Sequence, residues 1–391
     1  MNPRLGDRSA FPQLEARAYL NHAAISPVSV QVSDAVTRVL GDYARRGVGA
    51  VFDWVEQRGR LKEKLATLLG AGAGANLALT ASTTRSLTDL ALCIPWQRGD
   101  RVALLRGEFP ANVTPWQRAA ELFGLQLVWL DADAFRTEPD AAWQALSAEL
   151  ERGLRLLSVS AVQFQTGHRM PLPRLARLCH EHGAELCVDA IQAAGVVPLN
   201  VTELQIDYLA CGSQKWLMGM EGVGFVYVAP SRVSALRPIV AGWLSHEDPL
   251  QFLFQGAGHL RYDRPLRQSV DFLEGSAANV LGAAALDASV SVLLELGVEA
   301  VYDHVQAYLD RLERGMIDLG FHSRRCERTE ERSGILSFDP PAGVDVVNLQ
   351  QALGKAGVSC SLPDGLLRFS PHYPNAFDEV PFVLRAVESC L

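Results

Sequence analysis

The chain has 391 residues, of which 48% are hydrophobic and 20% charged, and its formal net charge at pH 7 is -8. This length and hydrophobic content favour two globular domains and speak against extensive disorder. Charges of both signs are dispersed without a basic stripe, so nucleic acid is not expected as a partner. The charged N-terminus and the absence of a long apolar run predict a cytoplasmic protein with neither a signal peptide nor a membrane span.

Seven cysteines are scattered along the chain without a close CxxC pair. Their odd number and wide spacing predict reduced thiols, several of them buried as small apolar residues. The same spacing argues against a disulfide framework and against a zinc site, so we expect no bound metal.

Strand-like and helical patterns alternate through the first part of the chain. Predicted strands lie at 77–80, 101–105, 125–130, 154–162, 186–188 and 222–228. Predicted helices lie at 61–69, 87–92, 116–122, 141–150 and 172–182. This order predicts an α/β fold with a mostly parallel sheet covered by helices on both faces, in which ligands collect at the carboxyl ends of the strands.

The C-terminal part of the chain has the pattern of a smaller α+β domain. Predicted helices lie at 277–296, 301–319 and 346–356, with a final helix beyond them, and predicted strands lie at 334–338 and 366–369. We expect residues 15–265 to form the large domain, and residues 1–14 with 266–391 to form the small one. Segment 236–262 has little periodicity and is predicted to be an active-site loop region.

A carboxylate at the end of a predicted strand is followed 26 residues later by a lysine. Asp189 ends the apolar run 184–188, and Lys215 lies further on in a loop of small residues. Pyridoxal phosphate chemistry requires such a pair, because the lysine forms a Schiff base with the cofactor aldehyde and the carboxylate keeps the pyridine nitrogen protonated. Gln192, in the turn after Asp189, can reach the phenolate side of the ring. Taken alone, Asp189 could equally be a helix cap and Lys215 a surface lysine.

The cofactor phosphate needs hydrogen-bond donors, and segment 80–86 is rich in hydroxyls where a helix begins after a strand. Free backbone amides and the positive end of the helix dipole would face an anion there. An ordinary capping cluster is the alternative. Two glycine clusters, 70–75 and 219–224, do not fit a nucleotide-binding loop and are predicted to be a helix-ending linker and a tight turn.

Together these segments resemble the class V aminotransferases, a fold-type I group of pyridoxal phosphate enzymes. The group includes cysteine desulfurases, selenocysteine lyases, kynureninases and isopenicillin epimerases. The similar segments are 19–24, 82–84, 108–112, 115–116, 166–167 with Pro171, 189–192, 214–216 with Gly222, 274–276 and 368–372. The resemblance covers nearly the whole chain and implies a seven-stranded sheet of the fold-type I kind in the large domain.

The resemblance also implies a role for individual residues. Lys215 would bind the cofactor and move the proton of the substrate Cα, Asp189 would pair with the pyridine nitrogen, and Arg368 would bind the substrate carboxylate. The other implied cofactor contacts are Thr83, Thr84, Phe109, Gln163, Gln192, Gln214 and Ser276. Phe109 would stack on the ring. Ser276 would reach the phosphate of the neighbouring subunit, which implies an obligate homodimer with shared active sites. A structural salt bridge is the alternative role for Arg368.

The chain departs from the desulfurases where those enzymes handle sulfur. Desulfurases keep a cysteine in a loop shortly before the carboxylate-binding arginine. Here Cys360 falls by position in the preceding strand, and segment 357–365 is too short to hold that loop. A persulfide on an enzyme cysteine is therefore not expected.

Two further departures concern the cofactor contacts. Desulfurases have a histidine where this chain has Phe109, and another before the lysine where this chain has Gln214. Phe164 replaces a polar residue that usually contacts the cofactor oxygen, which leaves Gln163 or Gln192 for that contact.

Three functions remain open on the sequence alone, all with an amino acid or amine as ligand. An aminotransferase is favoured; a lyase acting by C–S or other β-elimination, or an epimerase, is the alternative. A catalytically silent pyridoxal phosphate-binding protein is disfavoured, because burying three charged site residues costs stability. Candidates for the substrate pocket are Asn21, His22, Trp243, His246, His259 and Arg261. Their aromatic and basic character suits a polar or anionic substituent.

Overall fold

The structure is a computed structural model that describes residues 3–391. Its strands are β1 (Ala18–Tyr19), β2 (Leu77–Thr80), β3 (Arg101–Arg106), β4 (Gln126–Asp131), β5 (Leu154–Ser160), β6 (Glu185–Asp189), β7 (Tyr208–Gly212), β8 (Gly224–Val228), β9 (His322–Ser323), β10 (Leu336–Asp339), β11 (Val358–Ser359) and β12 (Leu367–Phe369). Its helices are α1 (Val30–Arg46), α2 (Val51–Leu69), α3 (Thr83–Cys93), α4 (Thr114–Phe123), α5 (Ala134–Thr137), α6 (Pro139–Glu151), α7 (Leu172–Glu181), α8 (Pro230–Val233), α9 (Gln251–Phe254), α10 (Val280–Leu296), α11 (Val298–Asp318), α12 (Val346–Lys355) and α13 (Glu379–Glu388).

Seven strands form the central sheet in the order β2-β8-β7-β6-β5-β3-β4. β8 is antiparallel to both of its neighbours, and the other pairs are parallel. Every residue of β6, β7 and β8 is buried, as expected for strands covered on both faces. The mostly parallel α/β fold predicted from the sequence is confirmed.

The sheet places the ends of three neighbouring strands side by side. Ser160 at the end of β5 is paired with Asp189 at the end of β6, and Asp189 is paired with Ala210 of β7. Gly212 ends β7 two residues further on, and the lysine loop comes directly after it. Because parallel strands lie about 4.8 Å apart, side chains that leave these ends can meet.

The C-terminal part contains a three-stranded antiparallel sheet in the order β12-β10-β9. It is accompanied by α11, α12 and α13, in agreement with the predicted α+β pattern. β1, near the N-terminus, pairs in parallel with β11. Ala18 and Tyr19 are thus joined to this part, and the proposed domain division at residues 15 and 265 stays a prediction.

Among the elements that differ from the sequence prediction, three lie in the part of the chain that carries the sheet. β7 was not predicted, because its Ala, Cys and Gly residues have little strand preference and only its buried place in the sheet fixes its conformation. α1, which buries only Val32 and Val39, was not predicted either. α3 begins at Thr83, earlier than residue 87, since the hydroxyl of Ser82 caps it by accepting a hydrogen bond from the Arg85 amide.

Within residues 3–391, no single helix combines the length and the apolar composition that crossing a membrane requires. α10 and α11 meet those criteria only when taken together, as a pair bent by 78°.

Candidate active site

Asp189 and Lys215 are brought together at the carboxyl edge of the sheet. Asp189 is only 2% exposed, and its Oδ1 accepts a hydrogen bond of 2.9 Å from the Ile191 amide. Burial raises the pKa of Asp189 to about 6, although the Ile191 amide and the charge of Lys215 oppose this rise. Burial of its amine lowers the pKa of Lys215 to about 8 against the pull of Asp189. A substantial fraction of the amine is therefore unprotonated near neutral pH, as a nucleophile or base requires.

The carbonyl of Lys215 is held from the N-terminal part of the chain. The Ser26 hydroxyl donates a hydrogen bond of 2.6 Å to it, and His22 Nδ1 lies 2.7 Å from the same hydroxyl oxygen. Because the Ser26 proton is already donated, His22 Nδ1 must carry a proton and donate to Ser26. His22 is 1% exposed, so it supports the lysine loop from beneath rather than lining an open substrate pocket.

The next residue of the loop is held from two further segments. His372 Nδ1 accepts a hydrogen bond of 2.7 Å from the Tyr373 amide, so His372 Nε2 carries the proton and donates to the Trp216 carbonyl at 2.9 Å. The Trp216 indole donates to Gln192 Oε1 at 2.8 Å. Gln192 Nε2 donates to the Ala23 carbonyl at 3.1 Å. Gln192 thus helps to fix the lysine loop. Its second amide N–H would have to make the predicted contact with the cofactor phenolate, and that contact stays a prediction.

Two aromatic rings stand beside the lysine amine. Lys215 Nζ lies 5.4 Å from the centroid of the Phe109 ring, and Phe164 packs edge-on against Phe109 with 5.4 Å between centroids. Phe109 is 46% exposed, an unusual state for a phenylalanine beside a lysine that is itself partly buried. This open ring face suits stacking of a flat cofactor, as the resemblance implies.

The polar groups predicted to bind phosphate gather at the start of α3. Thr83 is buried, and its Oγ1 has no hydrogen-bond partner in residues 3–391. A Cβ built on Gly212 would lie 3.2 Å from Thr83 Oγ1 and 2.8 Å from Gln214 Oε1, so glycine at this strand end lets the two side chains meet. Thr84 is exposed at the same helix terminus. An unpartnered hydroxyl at a helix N-terminus is what an anion site provides.

Glu108 is a second acidic residue at this edge of the sheet. It lies in segment 108–112, which resembles the family, but the sequence analysis assigned it no role. One carboxylate oxygen accepts hydrogen bonds from the Ser160 amide at 2.7 Å and from Gln163 Nε2 at 3.3 Å, and the other accepts from the Ser160 hydroxyl. Burial of its carboxylate raises the pKa of Glu108 to about 7, and the charge of Asp189 adds to this rise. Gln163, a predicted cofactor contact, is thereby positioned by Glu108.

Arg368 in β12 is 4% exposed and forms no ion pair with any residue that the structure describes. Its Nε donates to the Ser361 hydroxyl at 3.0 Å, and its Nη1 donates to the Phe164 carbonyl at 2.6 Å. No carboxylate within residues 3–391 lies at ion-pair distance from it, so the structural salt bridge considered as an alternative is not found. Burial lowers the pKa of Arg368 to about 10, which leaves it charged at neutral pH. A buried guanidinium without an anion has the charge and the donor geometry to bind a carboxylate, and the predicted binding of the substrate by Arg368 stays a prediction.

The remaining candidates are less closely tied to this cluster. Asn21 is bridged to Ser370, and its buried Oδ1 has no partner in the described part of the chain. Ser276 is exposed and lines a separate cavity of about 370 Å³ with Thr80, Arg85 and Asn279.

The four candidates from the loop region make their contacts elsewhere. Trp243 lines an apolar cavity of about 760 Å³. His246 Nδ1 lies 2.8 Å from the Arg264 carbonyl, and the His259 carbonyl accepts a hydrogen bond from the Arg264 side chain. Arg261 pairs with Asp263. The structure therefore does not bring these four to the lysine.

A partly buried lysine and a buried aspartate at the carboxyl edge of a mostly parallel seven-stranded sheet define a fold-type I pyridoxal phosphate enzyme. The chain belongs to the aminotransferase class-V family, whose sequence profile matches residues 18–365.

Relatives of known name cover almost the full length of the chain. The cysteine desulfurase CsdA of Escherichia coli is 28% identical over 98% of this chain and 96% of its own. The isopenicillin N epimerase of Streptomyces clavuligerus is 25% identical over 84% of this chain and 83% of its own. A solved structure of the cystine C–S lyase C-DES has a TM-score of 0.87 at 22% identity, and covers 97% of this chain and 99% of its own. That structure supports the fold.

Pyridoxal 5'-phosphate is the cofactor of this family, and the residues described above fit it. Thr83 offers an unpartnered buried hydroxyl to the phosphate, and Asp189 offers a buried carboxylate to a protonated ring nitrogen. Lys215 offers an amine whose pKa is lowered by burial to about 8. Burying each of these groups without a partner costs free energy, and the bound cofactor would give each of them a partner.

Asp189→Asn is expected to lower the pKa of Lys215 in the cofactor-free protein below its value of about 8. The substitution removes the negative charge that favours the ammonium form, so the amine becomes reactive at lower pH. The rate at which an amine-selective reagent modifies the peptide containing Lys215, measured by mass spectrometry across pH, would show the shift. Asp364→Asn, at a nearby exposed carboxylate, is the control. An identical pH profile for the wild type and Asp189→Asn would contradict the pairing.

Proposed function

We propose that this protein is a pyridoxal phosphate-dependent C–S lyase that acts on an α-amino acid with sulfur at Cβ and needs no cysteine of its own. The unpaired, buried Arg368 carries the first part of the proposal. Its charge acts on Lys215 and lowers the pKa of that amine, so the two cations face one region. An amino acid held there by its carboxylate would present its Cα toward the lysine.

Each residue of the site has a separate task in this reaction. Arg368 binds and orients the substrate carboxylate with its remaining guanidinium N–H groups, while Phe164 and Ser361 fix its plane. Lys215 takes the proton from Cα, a task that an amine with a pKa of about 8 can perform near neutral pH. Asp189 holds the proton on the ring nitrogen. Pyridoxal phosphate, when bound, supplies an electron-accepting ring that stabilises negative charge at Cα.

Elimination then breaks the bond between Cβ and sulfur. The electron pair left at Cα forms a double bond to Cβ, and the electron pair of the C–S bond leaves with sulfur as a thiolate or persulfide. The organic product released into water hydrolyses to pyruvate and ammonia. No enzyme nucleophile is needed at sulfur in this route.

The cysteines of the chain support a route of this kind. Six of the seven are buried, and the seventh, Cys390, lies next to the last residue of the chain. Cys360, the one nearest Arg368 in sequence, is 3% exposed, and burial raises its pKa to about 12. It is therefore a protonated core thiol at neutral pH, unsuited to attack sulfur. Cystine cleavage by C-DES and desulfuration by CsdA place C–S chemistry among proteins similar to this chain.

Transamination, favoured by the sequence analysis, would use the same lysine and arginine. Both reactions begin with removal of the Cα proton and differ only in their later steps. Product formation without an added keto acid separates them, because a lyase turns over repeatedly while an aminotransferase stops after one equivalent.

The decisive measurement uses the holoenzyme with L-cystine, L-cysteine and L-alanine and no keto acid. We expect many equivalents of pyruvate per active site from a sulfur-bearing substrate, none from alanine, and none from Lys215→Ala with any substrate. Cys360→Ser is expected to keep the wild-type rate, because the route uses no enzyme thiol. A single equivalent of keto acid, restored to turnover by an added keto acid, would show an aminotransferase instead. Loss of turnover in Cys360→Ser would indicate an enzyme persulfide.

Arg368→Lys is expected to lower kcat/KM for the amino acid by about 10- to 100-fold, mainly through KM. Lysine keeps the charge but loses the fork that binds a carboxylate in two places, and a hydrogen bond to a charged group contributes about 1.5–3 kcal/mol. Steady-state kinetics would measure the effect. Arg324→Lys, which alters an arginine paired with Asp339, is the matched control. Equal effects of the two substitutions would argue against carboxylate binding by Arg368.

We propose that two copies share their active sites, as the resemblance implies. Ser276 is exposed and lines a cavity that Thr80 and Arg85 also line but Lys215 of the same chain does not, as a residue that serves a partner would. Large apolar side chains lie exposed on α2 and the loop region, among them Phe52, Trp243 and Phe254. Sedimentation velocity is expected to show a dimer, and a stable monomer with full activity would contradict the sharing of sites.

A further inference from the structure

A buried cluster of three side chains lies behind the active-site loop that comes after β5. His168, Cys326 and Glu331 each offer one nitrogen, sulfur or oxygen atom, and these three atoms all lie within 4.8 Å of one another. His168 Nε2 is 3.7 Å from Glu331 Oε2. We refer to these residues as the His168 cluster. None of them has a role in the proposed reaction.

The imidazole of His168 has no hydrogen-bond partner on either ring nitrogen within residues 3–391, although His168 is 1% exposed. A buried polar side chain without any partner is rare and calls for a group that satisfies it. An imidazole whose two ring nitrogens are both unsatisfied can offer one of them to a metal ion.

The other two side chains are oriented toward the same space. Glu331 Oε1 forms an ion pair with Arg328, which leaves Oε2 directed at His168. Cys326 is buried, and its Sγ lies within 4.8 Å of the ligand atoms of His168 and Glu331.

We propose that the His168 cluster binds one zinc ion through His168, Cys326 and Glu331. Imidazole nitrogen, thiolate sulfur and carboxylate oxygen are the ligand types that zinc selects, whereas magnesium and calcium select oxygen alone. With bonds of about 2.0–2.3 Å, neighbouring ligand atoms of a tetrahedral zinc site are about 3.3–3.8 Å apart. The separation of 3.7 Å between His168 and Glu331 already matches this range.

Charge and proton balance are simple at such a site. Zinc forms a bond to the Cys326 sulfur as the S–H bond breaks, and the proton leaves to solvent. The thiolate, the carboxylate and the dication then sum to zero charge, and His168 contributes none. A water molecule would complete the tetrahedron.

The ion would join segment 164–169 to segment 326–333, and these two segments already contact each other. The Arg169 amide donates to the Glu331 carbonyl at 2.9 Å, and the Ser333 hydroxyl donates to the Gly167 carbonyl at 2.6 Å. The first of these segments also contains Phe164, whose carbonyl accepts a hydrogen bond from Arg368. We therefore assign the ion a positioning role, in which it fixes the loop that orients the substrate-binding arginine.

The sequence analysis expected no metal, because it looked for ligands at short spacing. His168 lies on one segment and the other two ligands lie more than a hundred residues later, so only the fold unites them. The expectation rested on the absence of a CxxC pattern, which this kind of site does not need.

The test uses the holoenzyme after removal of bound metal with a chelator. Titration with Co²⁺, recorded as a difference spectrum against the Zn²⁺-loaded protein, is expected to give a thiolate-to-cobalt charge-transfer band that saturates at one ion per chain. The band is expected to disappear in Cys326→Ser and to persist in Cys360→Ser. Cys360 is a matched control, because it is also buried but does not belong to the His168 cluster.

Glu331→Gln provides a second variant in case Cys326→Ser does not fold. It keeps the size of the side chain and is expected to weaken Co²⁺ binding by more than about tenfold, since even outer-shell partners of metal ligands contribute about 10- to 100-fold. Cofactor absorbance would confirm that each variant is folded. The proposal is overturned if no thiolate band forms in the wild type, or if the band persists in Cys326→Ser. Since metal binding is read without substrate, this result does not depend on the reaction that the enzyme catalyses.

Discussion

The enclosure of three charged side chains in one region is the constraint on which the site depends. Asp189 and Arg368 are buried, Lys215 is partly buried, and burial shifts the pKa of each toward its neutral form. Asp189 and Lys215 partly offset each other, whereas Arg368 has no anion within the described residues. Such an arrangement is stable only if a rigid framework prevents water or a side-chain rotation from relieving it. The central sheet supplies that framework at its carboxyl edge.

The lysine loop shows how the framework extends beyond the sheet. Its backbone carbonyls are held by Ser26 from near the N-terminus and by His372 from near the C-terminus, and its indole is held by Gln192. The histidines in this network are buried, and burial lowers the pKa of each, so they are neutral and act as fixed donors. The reactive amine can therefore have a weakened proton affinity without losing its position, which is what a base in a preorganised site needs.

The sequence predicted the parts of this site that have a recognisable chemical pattern. Asp189 was found because it ends an apolar strand, and Lys215 because it lies in a loop of small residues 26 residues later. The sheet was found because strands and helices alternate. β7 escaped prediction because its conformation is imposed by neighbours rather than by its own residues. The Phe164 carbonyl could not be predicted as the partner of Arg368, since every residue has a carbonyl and only the fold selects one. Glu108 lay in a similar segment, but its closeness to Ser160 and Asp189 arises from strand register.

The contact between His372 and the Trp216 carbonyl has a consequence for how the protein acquires its cofactor. The sheet and the lysine precede His372 by more than a hundred residues, so a ribosome delivers them well before the group that holds the lysine loop. Arg368 also lies in this late segment. A nascent chain can thus assemble its sheet while the lysine loop is still loose, and the cofactor pocket is completed only after Arg368 and His372 have been synthesised. Capture of pyridoxal phosphate in its final form therefore follows folding of the sheet instead of accompanying it.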